Sequence, residues 1–117
     1  MGPTIGVLSY ALGSLGQAEQ VAAGNIANDQ TPGYTAKTYD FESALRAAIA
    51  SGGTATLAPT TGLSTAPPGT DGNNVDLAQE MVDMSEYQVQ TQAVSDALST
   101  QFQILGDAMA ASGGGTL

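Results

Sequence analysis

The chain has 117 residues, a net charge of −9, and neither cysteine nor histidine. That length allows one small domain, and eleven acids against Lys37 and Arg46 alone repel phosphate backbones and anionic lipid, so neither nucleic-acid nor direct lipid binding is expected. Without thiol or imidazole there is no disulfide, no Cys-based metal site, and no use of the commonest general base.

The content of large side chains is thin: two Phe, four Tyr and no Trp, with alanine supplying many apolar positions. Alanine buries little area, so a core built from this chain alone is shallow. Partner surface is expected to complete its order.

Residues 4–28 carry the first helical pattern. Ile5, Leu8, Leu12, Leu15, Ala22 and Ile26 recur at spacings of three and four, with Glu19 as the intruder in the heptad seam. Gly6, Gly13, Gly16 and Gly24 weaken this helix by roughly 1 kcal/mol each relative to alanine. Facing a neighbour, they also permit close helix packing. Residues 29–37 break the pattern: Pro32 lacks an N–H and restrains Thr31, and Pro32-Gly33 suits the centre of a type II turn.

Residues 40–50, DFESALRAAIA, predict a short helix capped by Asp40, with Phe41, Leu45 and Ile49 on one face and a Glu42–Arg46 pair. Residues 51–74 are rich in Gly, Thr, Ala, Pro and Ser, and predict a flexible or extended linker with Leu57 and Leu63 as weak anchors.

Residues 76–111 carry the longest helical signal. Asp76 is the expected N-cap, with Gln79 in the capping-box position and Glu80 and Asp83 near the positive end of the dipole. The apolar series runs Leu77, Met81, Met84, then polar through Gln88, Thr91 and Ser95, then Leu98, Phe102, Leu105 and Met109. Val89, Val94 and Ala97 flank the polar middle, so the stripe changes face midway. Ser112 and the glycines after it are expected to end the helix.

The predicted fold class is all-α: two long terminal helices in an antiparallel coiled-coil-like pair, with a turn at Thr31-Pro32-Gly33-Tyr34, a short helix and a flexible middle. Residues 1–50, 51–74 and 75–117 form the two ends and the linker of one structural domain. Two helices cannot bury every apolar side in each other, which points to assembly with further chains. No stretch approaches about 18 apolar residues, so no transmembrane helix is expected, and the uncharged start predicts no secretory signal.

Catalysis is not expected. The carboxylates stand mainly singly along helices, and the mass needed for a cleft is small. DGNNVDLAQE from Asp71 fails the calcium-loop pattern, because Asp76 and Val82 stand where Gly and Glu are required. No cofactor or metal ligand set is predicted.

Two motifs carry a family resemblance. Asn25-Ile26-Ala27-Asn28, then Thr31-Pro32-Gly33-Tyr34, is similar to the N-terminal signature of bacterial flagellar axial proteins. Asn74-Val75-Asp76-Leu77, with Glu80, Met81 and Met84, is similar to their C-terminal signature. The short middle segment, DFESAL after the turn and DGNNVDL before the last helix are most like the small proximal-rod members.

The resemblance implies a structural subunit of the basal-body rod. It implies export through the flagellar type III apparatus without a cleaved signal, and self-association through the terminal helices. It also implies contacts with other rod proteins, the adaptor FliE, the MS-ring and the export gate. The expected assembly seam comprises Ile5, Leu8, Leu12, Leu15, Ile26, Leu77, Met81, Met84, Leu98, Phe102, Leu105 and Met109. The chain departs from the family pattern at Ala18 and Glu19, where a basic residue is common, and at Thr91, near which relatives often carry an aromatic. A small secreted helical-hairpin adaptor and a second, related small rod protein are the rival readings.

Asn25 and Asn28 are expected to meet carbonyls freed at the helix end. Tyr34 is either a buried anchor or an inter-subunit contact. Met81 and Met84 are expected in the core.

Overall fold

The computed structural model describes residues 2–52 and 61–116. Leu57, one of the two expected linker anchors, lies outside the described residues. The molecule is a rod, with principal extents of 71, 23 and 15 Å. Helix α1 (Gly2–Ala27) leads to strand β1 (Lys37–Tyr39) and helix α2 (Phe41–Ala50), and strand β2 (Thr61–Leu63) precedes helix α3 (Leu77–Thr116). At about 1.5 Å per residue, the 26 residues of α1 and 40 of α3 span about 39 and 60 Å.

The helices α1 and α3 pack along their length in opposite directions. Asn25, near the end of α1, meets Glu80 at the start of α3, and Glu19 accepts from Thr91 Oγ1 at 2.8 Å farther along. The intruder of the seam thus has a partner across the interface. It joins two positions at which the chain departs from the family pattern.

The buried line of α1 is Ala11, Leu15, Ala18, Ala22 and Asn25, with Ser14 beside it. Within the chain this line is displaced from the expected seam, sharing Leu15 and Ala22. Ile5, Leu8, Leu12 and Ile26 are half-buried on its flank. Small side chains at the contact bring the backbones close, so alanine takes the centre and the branched residues are pushed aside. Three of the glycines contribute no such close approach, since a Cβ at Gly13, Gly16 or Gly24 would meet nothing within 4 Å.

On α3 the half-buried residues are Glu80, Asp83, Met84, Tyr87, Thr91, Val94, Ser95, Ala97, Leu98, Gln101 and Leu105. Leu77, Met81, Phe102 and Met109 are exposed, as are Val82, Val89 and Ile104. Met81 and Met84 therefore part company: Met84 faces the chain's own interior and Met81 faces outward.

Four further expectations need correction. The fold is mostly helical but not all-α. Strands β1 and β2 pair antiparallel, with Lys37 opposite Leu63, Thr38 opposite Gly62 and Tyr39 opposite Thr61. Strands this short leave too little alternation for a periodicity argument. Gly62 belongs here because a Cβ would approach Thr38 Oγ1 to 2.9 Å. Leu63 is exposed and anchors nothing by its side chain.

On α2 the buried residues are Ala44 and Ala48, not Ile49, because only methyl-sized groups fit where α2 lies against α1. Finally, α3 continues through Ser112 to Thr116. An existing helix adds one hydrogen bond for each residue fixed, so glycine weakens its propagation without stopping it.

The caps follow the sequence closely. Asp40 accepts from Ser43 N at 3.0 Å and Ser43 Oγ at 2.7 Å, and these bonds hold its carboxyl below the usual range. Glu42 and Arg46 pair at 3.7 Å on the exposed side of α2. Asp76 accepts from Gln79 N at 3.1 Å at the start of α3. The Gln79 side chain does not close a capping box; it reaches forward to Asp83 Oδ1 at 2.8 Å.

Candidate functional site

The two motifs, nearly fifty residues apart in sequence, form one polar knot at the end of the rod where α1 finishes and α3 begins. Asn25 is its centre and is 1% exposed. Its Nδ2 donates to the Lys37 carbonyl at 2.8 Å and to Glu80 Oε1 at 2.9 Å. Its Oδ1 accepts from Lys37 N at 2.9 Å and from Tyr34 Oη at 3.1 Å. An amide offers two donors and two acceptor lone pairs, so this side chain is saturated. It ties α1 to the turn, to β1 and to α3 at once.

This differs from the expected role. Asn25 captures no freed helix carbonyl; Asn28 does, donating from Nδ2 to Gly24 O at 2.8 Å. Asn28 Oδ1 accepts from Thr31 Oγ1 at 3.1 Å, holding the chain as it leaves the helix. Tyr34 N donates to Thr31 O at 3.2 Å across Pro32-Gly33, and Gly33 has φ 75°. Tyr34 is half-buried, its hydroxyl spent on Asn25. Of the remaining motif residues, Ile26 is half-buried, while Ala27, Thr31, Pro32 and Gly33 are exposed.

The second motif supplies the other half. Asn73 is buried and donates from Nδ2 to the carbonyls of Asn28 and Thr31, both at 2.8 Å. Its Oδ1 accepts from Val75 N at 2.8 Å. Asn74 Oδ1 accepts from Ala36 N at 2.6 Å, while its Nδ2 reaches Ser64 O and Ala66 O at 3.3 and 3.2 Å. The backbones also touch: Gly33 N donates to Asp71 O at 2.9 Å, and Asn74 N to Tyr34 O at 3.3 Å. Gly72 has φ 81°, and a Cβ there would lie 3.2 Å from Gly33 Cα. Gly72 is required by both its φ and this close approach, whereas Gly33 is required by its positive φ alone, since a Cβ there would meet nothing within 4 Å.

Sequence reasoning named Asn74 as a motif residue but gave Asn73 no role. The signal that could have found it was the run Gly72-Asn73-Asn74 placed directly before a helix cap. Glu80 was read as a dipole-facing acid. Its dominant influence is burial, which raises its carboxyl above the usual range; the Asn25 bond opposes that shift, and Asp83 and Asp76 add to it.

The knot has the chemistry of a joint. Its polar groups are spent on one another, and none of the buried side-chain polar atoms among the described residues lacks a partner. Among the described residues no group of three or more acids is arranged to hold a metal ion, and no helix is long and apolar enough to cross a membrane.

Comparison with known proteins identifies the family. A profile described as the flagellar basal body rod FlgEFG protein C-terminal region matches residues 71–111, beginning at the second half of the knot. The flagellar basal body rod protein FlgB of Escherichia coli (strain K12) is 32% identical in an alignment 114 positions long, which covers 80% of this chain and 83% of that protein. FlgB of Shigella flexneri matches to the same extent. The chain belongs to the flagellar basal body rod protein family.

Proposed function

We propose that this chain is a structural subunit of the proximal flagellar rod, similar in role to FlgB. The observation that carries this reading is the identity to FlgB across most of both chains. The polar knot adds physical sense to it, because residues of both family motifs fix the relative direction of the two long helices. The role is mechanical: torque passes through packed helices and requires no reacting group.

In this reading the antiparallel, coiled-coil-like pair of α1 and α3 is the rod-building element. The exposed part of the expected seam, Leu77, Met81, Phe102 and Met109, meets neighbouring chains. The half-buried part, Met84, Leu98 and Leu105, faces α1 inside the chain. Ile5, Leu8, Leu12 and Ile26 flank the buried line and serve both sides. Neighbours are further copies, other rod proteins, FliE, the MS-ring and the export gate, reached by type III export without a cleaved signal.

Placement of these residues dictates the choice of test. A Leu98→Asp change puts a charge between α1 and α3, so it tests folding before assembly. Met81→Asp on an exposed position tests assembly alone. Sedimentation of the purified chain mixed with other proximal rod proteins is expected to show large complexes that Met81→Asp diminishes. A chain that stays monomeric in every mixture, with motility intact in a Met81→Asp strain, contradicts the reading and favours a free-standing adaptor.

A further inference from the structure

Tyr39 and Tyr87 stand between two adjoining clefts on the side of the rod. The larger, about 480 Å³, has walls that include Tyr39, Phe41, Leu45 and Tyr87. The smaller, about 160 Å³, runs from the same two tyrosines back to Lys37 and α1. Aromatic side chains are scarce in this chain, yet three of its six stand here.

The rims are acidic. Asp40, Glu42 and Glu86 line the larger cleft, and Glu80 and Asp83 the smaller. Four of these five carboxylates already have partners: Ser43, Arg46, Asn25 and Gln79 respectively for Asp40, Glu42, Glu80 and Asp83. Glu86 is exposed and makes no hydrogen bond or ion pair with the described residues. The Tyr87 phenol is pushed up first by burial and then by Asp83, Glu80 and Glu86, which agrees with negative potential at the ring.

We propose that the larger cleft is a docking site for a basic side chain, arginine above lysine, presented by a different protein. A guanidinium stacks on an aromatic face and pairs with a carboxylate at the same time, which an ammonium does less well. Here the rings are Tyr39, Phe41 and Tyr87, and the free carboxylate is Glu86. A second copy is a poor donor: its two cations are Arg46, already paired with Glu42, and Lys37, beside the same tyrosines. The occupant is therefore a heterologous, basic protein segment. The cleft's chemistry stands independently of rod membership.

The test uses the full chain labelled for NMR and a blocked, alanine-based helical peptide with several arginines on one face. The expected result is shift changes centred on Tyr39, Phe41, Glu86 and Tyr87, with weaker binding of the lysine version. Glu86→Gln is expected to weaken binding roughly threefold or more. Asp107→Asn, an identical charge change on an exposed position outside the cleft, leaves it unaltered. Glu86 is exposed, so its variant keeps the fold, and Tyr87→Leu serves as the second variant, with circular dichroism as a check. No shifts at about 1 mM peptide, shifts spread evenly over the acidic surface, or equal losses from Glu86→Gln and Asp107→Asn would overturn the proposal.

Discussion

The two ends of this rod are built on different principles. At the knot, Asn25, Asn73 and Asn74 each bond to segments distant in sequence, and two turns meet through Gly33 and Gly72. Toward the other end, α1 and α3 meet through alanine, serine and one fully buried leucine, Leu15, and α3 has no buried residue among those described. Hydrogen bonds are directional, so the knot sets geometry; a thin apolar seam stabilises contact without fixing it. The orientation of the helices is thus determined inside the chain, whereas α3 leaves large apolar side chains exposed from Leu77 to Met109.

The largest blow to this asymmetry comes from Asn25→Ala. It strands the Lys37 N–H and carbonyl and frees Tyr34 and Glu80, and loss of about 3 kcal/mol is expected in urea melts. Next is Gly72→Ala, which combines a left-handed φ with a close approach to Gly33; about 1–2 kcal/mol is expected in the same melts. The matching change at Gly16, in open space on α1, is expected to stabilise the helix by up to about 1 kcal/mol. Opposite signs for two Gly→Ala changes would set the knot and the seam clearly apart.

At the far end, Phe102→Ser removes an exposed ring, and a change in monomer stability under about 0.5 kcal/mol is expected. The same variant is expected to lower assembly measured by sedimentation. The smallest effect is that of Glu80→Gln. Burial raises the Glu80 pKa, so the native state holds its proton more tightly than the unfolded chain. Stability from this group is therefore present below the unfolded value of about 4.3 and is lost as pH rises through the raised native value. Glu80→Gln keeps the acceptor for Asn25, so a slightly higher melting temperature at neutral pH is expected, fading at about pH 4.

Much of this fold is legible from residue pattern alone. Helices near 4–28, 40–50 and 76–111, and the caps Asp40 and Asp76, follow from apolar spacing and short polar side chains. The face that α1 buries was less legible. Hydrophobicity ranks Ile5, Leu8 and Leu12 above Ala11 and Ala18, whereas close packing selects by size. The β1–β2 ladder was invisible because backbone pairing over such short strands leaves no side-chain period. At the knot, both motifs could be read separately, but their meeting could not. Nothing in the order of residues says that Asn25 bonds to Glu80 or Asn73 to the Asn28 carbonyl; that follows only when two helices bring their ends together.

The knot is expected to be the most protected part of the isolated chain, and amide hydrogen exchange on the monomer is the sharpest check. Slowest exchange is expected at Gly33, Ala36 and Lys37, whose N–H groups donate into the knot, and fast exchange along α3 beyond Phe102. Uniform protection along α3, or stronger protection at its far end than at these amides, would show that the seam and not the knot is the stabilising element.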